Sequence, residues 1–454
     1  MRHVLIFGAG KSASHLIRFL LKEAQSQELH LTIADLQVSH LKRFNDYSNY
    51  FTAIPLNVAD LEKRQILVKQ SDLVISMLPA ALHIEVAREC LLFKKHLVTA
   101  SYVSPELKAM NQEVIDAGLI FLNEIGCDPG IDHMSAMETI DKIKAVGGKM
   151  LLFESFTGGL IAPESDNNLW NYKFTWNPRN VVLAGQGGAA KFIQEGSYKY
   201  IPYQHLFRRT EFLDIEGYGK FEAYANRDSL SYREVYGLSD VNTMYRGTIR
   251  KIGFSRAWHV FVQLGMTDDS YKIEHSEDLT YREFVNLFLP YHPTDSVELK
   301  FRHALKIDQD DIIWDKYLSL DLFSRTKKIN LKNASPAQAL QKILMDNWTL
   351  SSEDKDMIVM CHKFGYELNG QKKQIESTMV VIGEDDVFTA MSKTVGLPVA
   401  IAALAILNGK ITSPGVTIPV KSEVYIPVMK ALEDQMISFN EKEVPYTSYN
   451  TLHL

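Results

Sequence analysis

Val4-Leu5-Ile6-Phe7-Gly8-Ala9-Gly10-Lys11-Ser12-Ala13 decides the fold of the first part of this 454-residue chain. An apolar run meets two glycines and two small residues, and a helical pattern with Leu16, Ile17, Phe19, Leu20 and Leu21 follows. The order is strand, glycine turn, helix. Gly8 allows the tight turn, Gly10 lets the backbone approach a pyrophosphate, and the small Ala13 lets the helix pack close with its N-terminus toward the anion. G-x-G-x-x-A alone is weak. It gains strength from the next strand, Leu29 to Ala34, which ends at Asp35, an acid suited to the hydroxyls of an adenosine ribose.

Working outward, Phe51 to Leu56, Leu73 to Met77, Leu97 to Thr99 and Leu119 to Leu122 recur at βαβ spacing, with helical patterns such as His83 to Leu92 among them. Six strands of an open parallel sheet are expected. Their ends carry Asn57-Val58, Met77-Leu78-Pro79, Thr99-Ala100-Ser101-Tyr102 and the turn at Gly126 to Asp128, on the edge where ligands bind. A dinucleotide is the expected ligand. Asp35 favours NAD, because a carboxylate faces the 2′-phosphate of NADP as a like charge. Lys42 and Arg43 leave NADP open, although solvated helix charges explain them equally well.

The sixth strand leads into Asn123-Glu124-Ile125-Gly126-Cys127-Asp128-Pro129-Gly130-Ile131-Asp132-His133, where composition changes. Two readings stand. Asp128 is the N-cap and Pro129 the first residue of a helix running through Ile140, or Asp128 faces a ligand at the sheet edge.

Beyond it, Met150 to Phe156 reads as a strand of a different domain, and Asn171 to Asn177 as a half-buried strand, with a ligand pocket as the alternative. Arg227 and Arg246 lie in turn-like contexts with few apolar neighbours, and two guanidinium forks suit a substrate with several carboxylates; surface ion pairs are the alternative. Ser270 to Glu353 is helical and charged. Alternation returns at Asp356 to Cys361 and Ile375 to Ile382, and an apolar helix, Pro398 at its start and Asn408-Gly409 at its end, must be buried. From Asn440 on, a surface tail is expected.

Composition narrows the function classes. With a net charge of −6 and interspersed signs, no nucleic-acid or membrane-surface footprint is present. Cys90, Cys127 and Cys361 lack metal-ligand spacing, so no metal is expected and a reducing compartment is. Val395 to Leu407 is too short to span a bilayer, and no signal-peptide pattern opens the chain. A cytoplasmic enzyme is the expectation.

Several long motifs together resemble the L-glutamate-forming saccharopine dehydrogenases, or saccharopine reductases, over nearly the whole length. They are Ser101-Tyr102-Val103-Ser104-Pro105, Asn123 to His133, Gly158-Gly159-Leu160 with Ala162-Pro163-Glu164, Tyr172-Lys173-Phe174-Thr175-Trp176, Asn226-Arg227-Asp228-Ser229, Arg246-Gly247-Thr248 and Lys393-Thr394-Val395-Gly396-Leu397-Pro398. The resemblance implies an α/β fold: a Rossmann doubly wound parallel sheet (1–127 and about 390–435), a second α/β domain for saccharopine and dimerisation (about 128–268 and 354–389), a small helical insertion (about 269–353) and a tail (436–454). It implies a homodimer.

Carried over residue by residue, Ser101, Tyr102, Asp128, Arg227, Arg246, Gly247 and Thr248 are implied substrate contacts. Gly8, Gly10, Lys11, Ser12, Ala13, Asp35, Asn57, Val58, Leu78, Ala100, Ser101, Cys127, Asp128, Pro129 and Trp176 are implied cofactor contacts. Asp128, then Tyr102, are the candidates for proton transfer. Thr157 stands where the family usually has cysteine, and Ile161 where proline is expected, so a required thiol there is in doubt. Asp35 is like the degradative, saccharopine-oxidising members, whereas the fungal biosynthetic members carry a base. The rivals are a lysine 6-dehydrogenase-like enzyme, which two substrate arginines disfavour, and a non-catalytic NAD-binding regulator.

Overall fold

The computed structural model describes residues 1–184 and 186–447. The chain forms two compact units: Met1–Met150 with Tyr366–Gln371 and Met379–Lys442, and Leu151–Gly365 with Lys372–Thr378 and the chain from Glu443.

Unit 1 begins with β1 (Arg2–Phe7), α1 (Ser14–Glu23), β2 (Leu29–Asp35), β3 (Phe51–Pro55), α2 (Leu61–Gln70), β4 (Leu73–Ser76), α3 (His83–Leu92), β5 (His96–Val98), α4 (Pro105–Ala109), α5 (Asn111–Asp116), β6 (Ile120–Leu122) and α6 (Ile131–Ala145). The six strands fall where the apolar runs placed them, and central β4 and β6, covered on both faces, are buried throughout. All pair in parallel, in the order β3-β2-β1-β4-β5-β6. Chain order reverses at β1 and β4, and both strand ends there open on the ligand edge. Leu5, Phe7, Val74, Val86, Leu97 and Phe121 form much of the core on one face.

Unit 2 holds most of β7 (Lys149–Ile161), then α7 (Pro178–Val182), β8 (Ala190–Gln194), β9 (Ser197–Ile201), β10 (Thr210–Ile215), β11 (Gly219–Ala225), β12 (Thr243–Lys251), α8 (Phe254–Leu264), α9 (Tyr281–Asn286), α10 (Val297–Leu305), α11 (Ile312–Leu318), α12 (Pro336–Trp348) and the larger parts of β13 (Asp356–Leu368) and β14 (Gln371–Ile382). Its sheet runs β10-β11-β12-β7-β13-β14, with β8 pairing to β12 and β9 to β8. Asn171 to Asn177 is not a strand: its aromatics fill a core. Tyr172 lies 5.2 Å from Trp348 and 5.3 Å from Phe254, ring centre to ring centre. Lys173 is anchored by an ion pair of 2.6 Å to buried Asp354. Burial of these rings outweighs the alternation that suggested a half-exposed strand.

The chain then returns through α13 (Ala390–Leu407), β15 (Gly415–Thr417), α14 (Ser422–Asp434) and β16 (Asn440–Val444). β15 pairs in parallel with β6 as the seventh strand of the unit 1 sheet. α13 starts at the cap Thr389, whose side chain accepts from the Ser392 amide, so Pro398 lies inside the helix instead of opening it. At 18 residues and a mean hydropathy of 1.8 it reaches membrane-spanning length, unlike the shorter stretch expected, but 78% of it is buried inside the protein. It packs on α1 so closely that a Cβ on Gly396 would stand 2.9 Å from the Leu16 amide nitrogen. The expected tail is also corrected. Asn440–Val444 forms an edge strand beside β14, charged and exposed as edges commonly are, and 448–454 lie outside the described residues.

Candidate active site

In unit 1, the glycine loop is shaped by contacts the spacing only hinted at. Gly8 has φ of +91°, and a Cβ there would meet the Met77 carbonyl oxygen at 2.8 Å, whereas nothing lies within 4 Å of that position on Gly10. The backbone at Gly10 is therefore open to a ligand. Lys11–Ala13 forms a 3-10 turn leading into α1. Asp35 braces this loop: Oδ2 accepts from the Ala9 amide at 2.7 Å and Oδ1 from the Gln37 amide at 2.9 Å. His40 Nε2 donates to the Ala9 carbonyl at 2.8 Å. A carboxylate offers about four lone-pair sites, so these bonds leave Asp35 capacity for ribose hydroxyls. Lys42 and Arg43 are both exposed. An open glycine turn, a helix start and an acid at the second strand end together fit a dinucleotide.

Along the same edge, Asn57 closes a turn by accepting from the Ala59 amide, while Val58 and Leu78 are half-buried against the core. Ala100 and Ser101 follow β5, and Tyr102 is 55% exposed. Ser101 Oγ lies 2.6 Å from His83 Nε2, whose Nδ1 is 2.8 Å from Ser76 Oγ. Burial pulls the His83 pKa down to about 4, so its ring is neutral near pH 7. Sequence reasoning passed over His83, although a histidine opening a helix seven residues after a strand-end serine was a visible signal.

The Gly126–Gly130 loop overturns the capping reading of Asp128 and Pro129. α6 begins at Ile131 with Gly130 as its cap, no side chain capping it. Gly126 N donates to Pro129 O at 2.9 Å and Ile131 N to Gly126 O at 2.9 Å, closing the loop on itself across a cis Asp128–Pro129 bond. Gly130 has φ of +144°, and a Cβ there would be 2.1 Å from the Gly126 oxygen. Asp128 is half-buried. Buried carboxylates brace the loop: Asp132 Oδ1 accepts from Gly130 N at 2.6 Å, and Glu124 Oε2 lies 3.0 Å from His133 Nε2. Cys127 is buried, which pushes its thiol above the ordinary range and makes it a poor nucleophile.

Unit 2 gathers the two arginine motifs at one corner. Arg246 is not in a turn but in the middle of β12, 4% exposed and stacked 5.0 Å from the Tyr232 ring centre. The antiparallel β11–β12 pair brings Asn226 to Ser229 beside it. Asn226 N donates to Arg246 O at 2.8 Å, Arg246 N to Ser229 Oγ at 2.9 Å, and Thr248 Oγ1 to Asn226 Oδ1 at 2.7 Å. Arg227 stands exposed on that loop. Gly247 is confined, its Cβ position 3.0 Å from both Phe156 Cδ1 and Tyr224 O. Thr157 lies opposite Thr248 in the register, its buried hydroxyl without a partner among the described residues. Trp176 is 37% exposed, in contrast to the buried aromatics before it.

The comparisons with known proteins agree along the chain. Residues 4–122 match the saccharopine dehydrogenase NADP binding domain, and residues 126–437 the saccharopine dehydrogenase C-terminal domain. The chain is 33% identical over 451 residues to the Saccharomyces cerevisiae saccharopine dehydrogenase [NADP(+), L-glutamate-forming], covering 98% of this chain and 99% of that one. It is 32% identical to the mitochondrial alpha-aminoadipic semialdehyde synthase of Rattus norvegicus over 97% of this chain, but 47% of that longer protein. The apo structure of the yeast L-Glu-forming enzyme superposes with a TM-score of 0.88 at 31% identity, covering 98% of this chain and 100% of that one. The NADP in these descriptions lends no support to the preference for NAD read from Asp35. By two family models and by full-length identity and fold, the chain belongs to the saccharopine dehydrogenase family.

Proposed function

We propose that this chain interconverts saccharopine with L-glutamate and 2-aminoadipate 6-semialdehyde, using a nicotinamide dinucleotide, in lysine metabolism. The observation that carries the assignment is the corner where Arg227 and Arg246 meet through one hydrogen-bonded loop and strand, a carboxylate receptor in a family named for a tricarboxylate.

Saccharopine carries three carboxylates. Arg246, buried and stacked on Tyr232, holds one with little further loss of side-chain freedom, and Arg227 takes another at the exposed rim. The glycine turn at Gly8 to Ala13 and Asp35 would hold the dinucleotide, whose nicotinamide would supply the hydride acceptor for the substrate carbon beside the secondary amine. Water then adds to the resulting iminium, and Asp128 receives the proton that water gives up. Return of that proton to the amine nitrogen, followed by loss of the carbinolamine hydroxyl proton to the same carboxylate as the C–N bond breaks, frees L-glutamate and the semialdehyde. Tyr102 is the second candidate for these transfers.

For the cofactor, NAD is our reading, supported by the Asp35 carboxylate at the end of β2 and opposed by the NADP(+) in the relatives' names. A homodimer through unit 2 is supported by exposed Tyr198 and Tyr200 on β9 and exposed Phe212 on the edge strand β10. A cytoplasmic location rests on three free, buried cysteines. Initial rates of cofactor reduction with saccharopine and NAD, against saccharopine and NADP, test activity and cofactor together. Dinucleotide binding without reduction of either cofactor would refute the enzyme and favour the regulator.

A further inference from the structure

His83 links the ends of two neighbouring strands. Its Nδ1 meets Ser76 at the end of β4, and its Nε2 meets Ser101 just beyond β5. His83 and Ser76 are buried, and Ser101 is half-buried at the ligand edge.

The direction of these hydrogen bonds follows from counting protons. The Ser76 hydroxyl is fully buried, and its one hydrogen-bond partner among the described residues is His83 Nδ1. If Nδ1 carried the ring proton, the Ser76 proton would have no acceptor, and a buried donor left unmade is costly. Ser76 therefore donates, and Nδ1 accepts. A neutral imidazole has one N–H, which falls on Nε2 and donates to Ser101 Oγ. Since Oγ accepts from the ring, the Ser101 hydroxyl proton is left to point elsewhere. The Ser101 backbone is held as well, its N–H donating to Thr99 Oγ1 and its carbonyl accepting from Glu124 N.

We propose that His83 is a positioning residue that fixes Ser101 as an outward hydrogen-bond donor, and that this polarity selects a carboxylate oxygen of the substrate. This rests on the proposed function for its account of which ligand Ser101 meets, but the direction of the relay does not. A hydroxyl whose proton is free to point outward is a donor to which a carboxylate oxygen is the natural acceptor.

Gln and Asn at position 83 separate positioning from bulk. A Gln amide N–H reaches where Nε2 stands, whereas an Asn amide reaches only the Nδ1 position. We expect Ser101→Ala and His83→Asn each to raise the KM for saccharopine about tenfold, and their combination to be no worse than either alone. His83→Gln should stay within about twofold of the parent. Long-range proton–nitrogen NMR of the histidine-labelled native protein, with the His83 signal assigned by the Gln variant, should show an Nε2–H tautomer. An Nδ1–H tautomer overturns the relay whatever the kinetics. If Ser101→Ala raises the KM and His83→Asn does not, the positioning role falls alone. If Ser101→Ala leaves the KM unchanged, the substrate contact assigned to Ser101 falls, and the carboxylate selection with it.

Discussion

Acidification should weaken the fold through His83, by an amount the structure sets. The buried ring has a pKa of about 4 against 6.5 for the ordinary side chain. In the folded protein it stays neutral at pH 5, whereas the unfolded chain takes up a proton as soon as pH falls through 6.5. Stability from this group is complete above pH 6.5, declines as pH falls toward 4, and is about 2 kcal/mol smaller at pH 5 than at pH 8. His15 has the same displaced value, chiefly from burial and next from Arg18, so the two histidines together should cost about 4 kcal/mol over that interval. The Glu384 carboxyl, held at about 2 by Arg18, titrates beneath the window. Urea unfolding followed by fluorescence and circular dichroism at pH 8 and pH 5 measures the loss. The informative quantity is the difference from His83→Gln, which cannot titrate: it should lose about 2 kcal/mol less than the parent. Equal losses in the two proteins, within about 0.5 kcal/mol, would refute a neutral, buried His83.

Three further outcomes are expected. Asp35→Ala should narrow the ratio of kcat/KM with NAD to that with NADP by about tenfold or more, since it removes both the charge facing a 2′-phosphate and the brace on Ala9; an unchanged ratio removes Asp35 from cofactor choice. Asp128→Asn should lower kcat by about a hundredfold with substrate affinity retained, and near-parental turnover across pH would end its proton-transfer role. Gly130→Ala must relieve a Cβ 2.1 Å from the Gly126 oxygen at φ of +144°, so thermal unfolding should reveal a loss of about 3 kcal/mol or more, and parental stability would contradict the loop geometry.

The parallel sheet of unit 1 was legible because doubly covered strands are unbroken apolar runs that stop at polar residues, as Leu73 to Ser76 does. The site was legible as motifs but not as geometry. Arg246 looked like a turn residue because a buried guanidinium on a strand carries no local signature; its setting comes from Tyr232 and from a loop about twenty residues earlier. Asp128-Pro129 imitated a helix cap because the hydrogen bonds that close the loop run through glycine backbone, which composition does not reveal. β16 was invisible for another reason: Asn440-Glu441-Lys442-Glu443-Val444 is an edge strand whose charges belong to solvent.

The late return of the chain bears on how the protein is made. The seventh strand and the buried helix α13 belong to the unit that starts the chain, yet they are translated after all but the end of the other unit. About 270 residues separate Met150 from Thr417, so at roughly 5–20 residues per second a ribosome takes about 15–50 s to deliver the missing pieces. During that interval the first six strands have no α13 to cover the face of α1 that Gly396 will touch. The unit whose chain is nearly complete first is the one in the middle of the message. Premature termination even late in the reading frame would release a nucleotide-binding half with its apolar surface open, a substrate for chaperones and proteases.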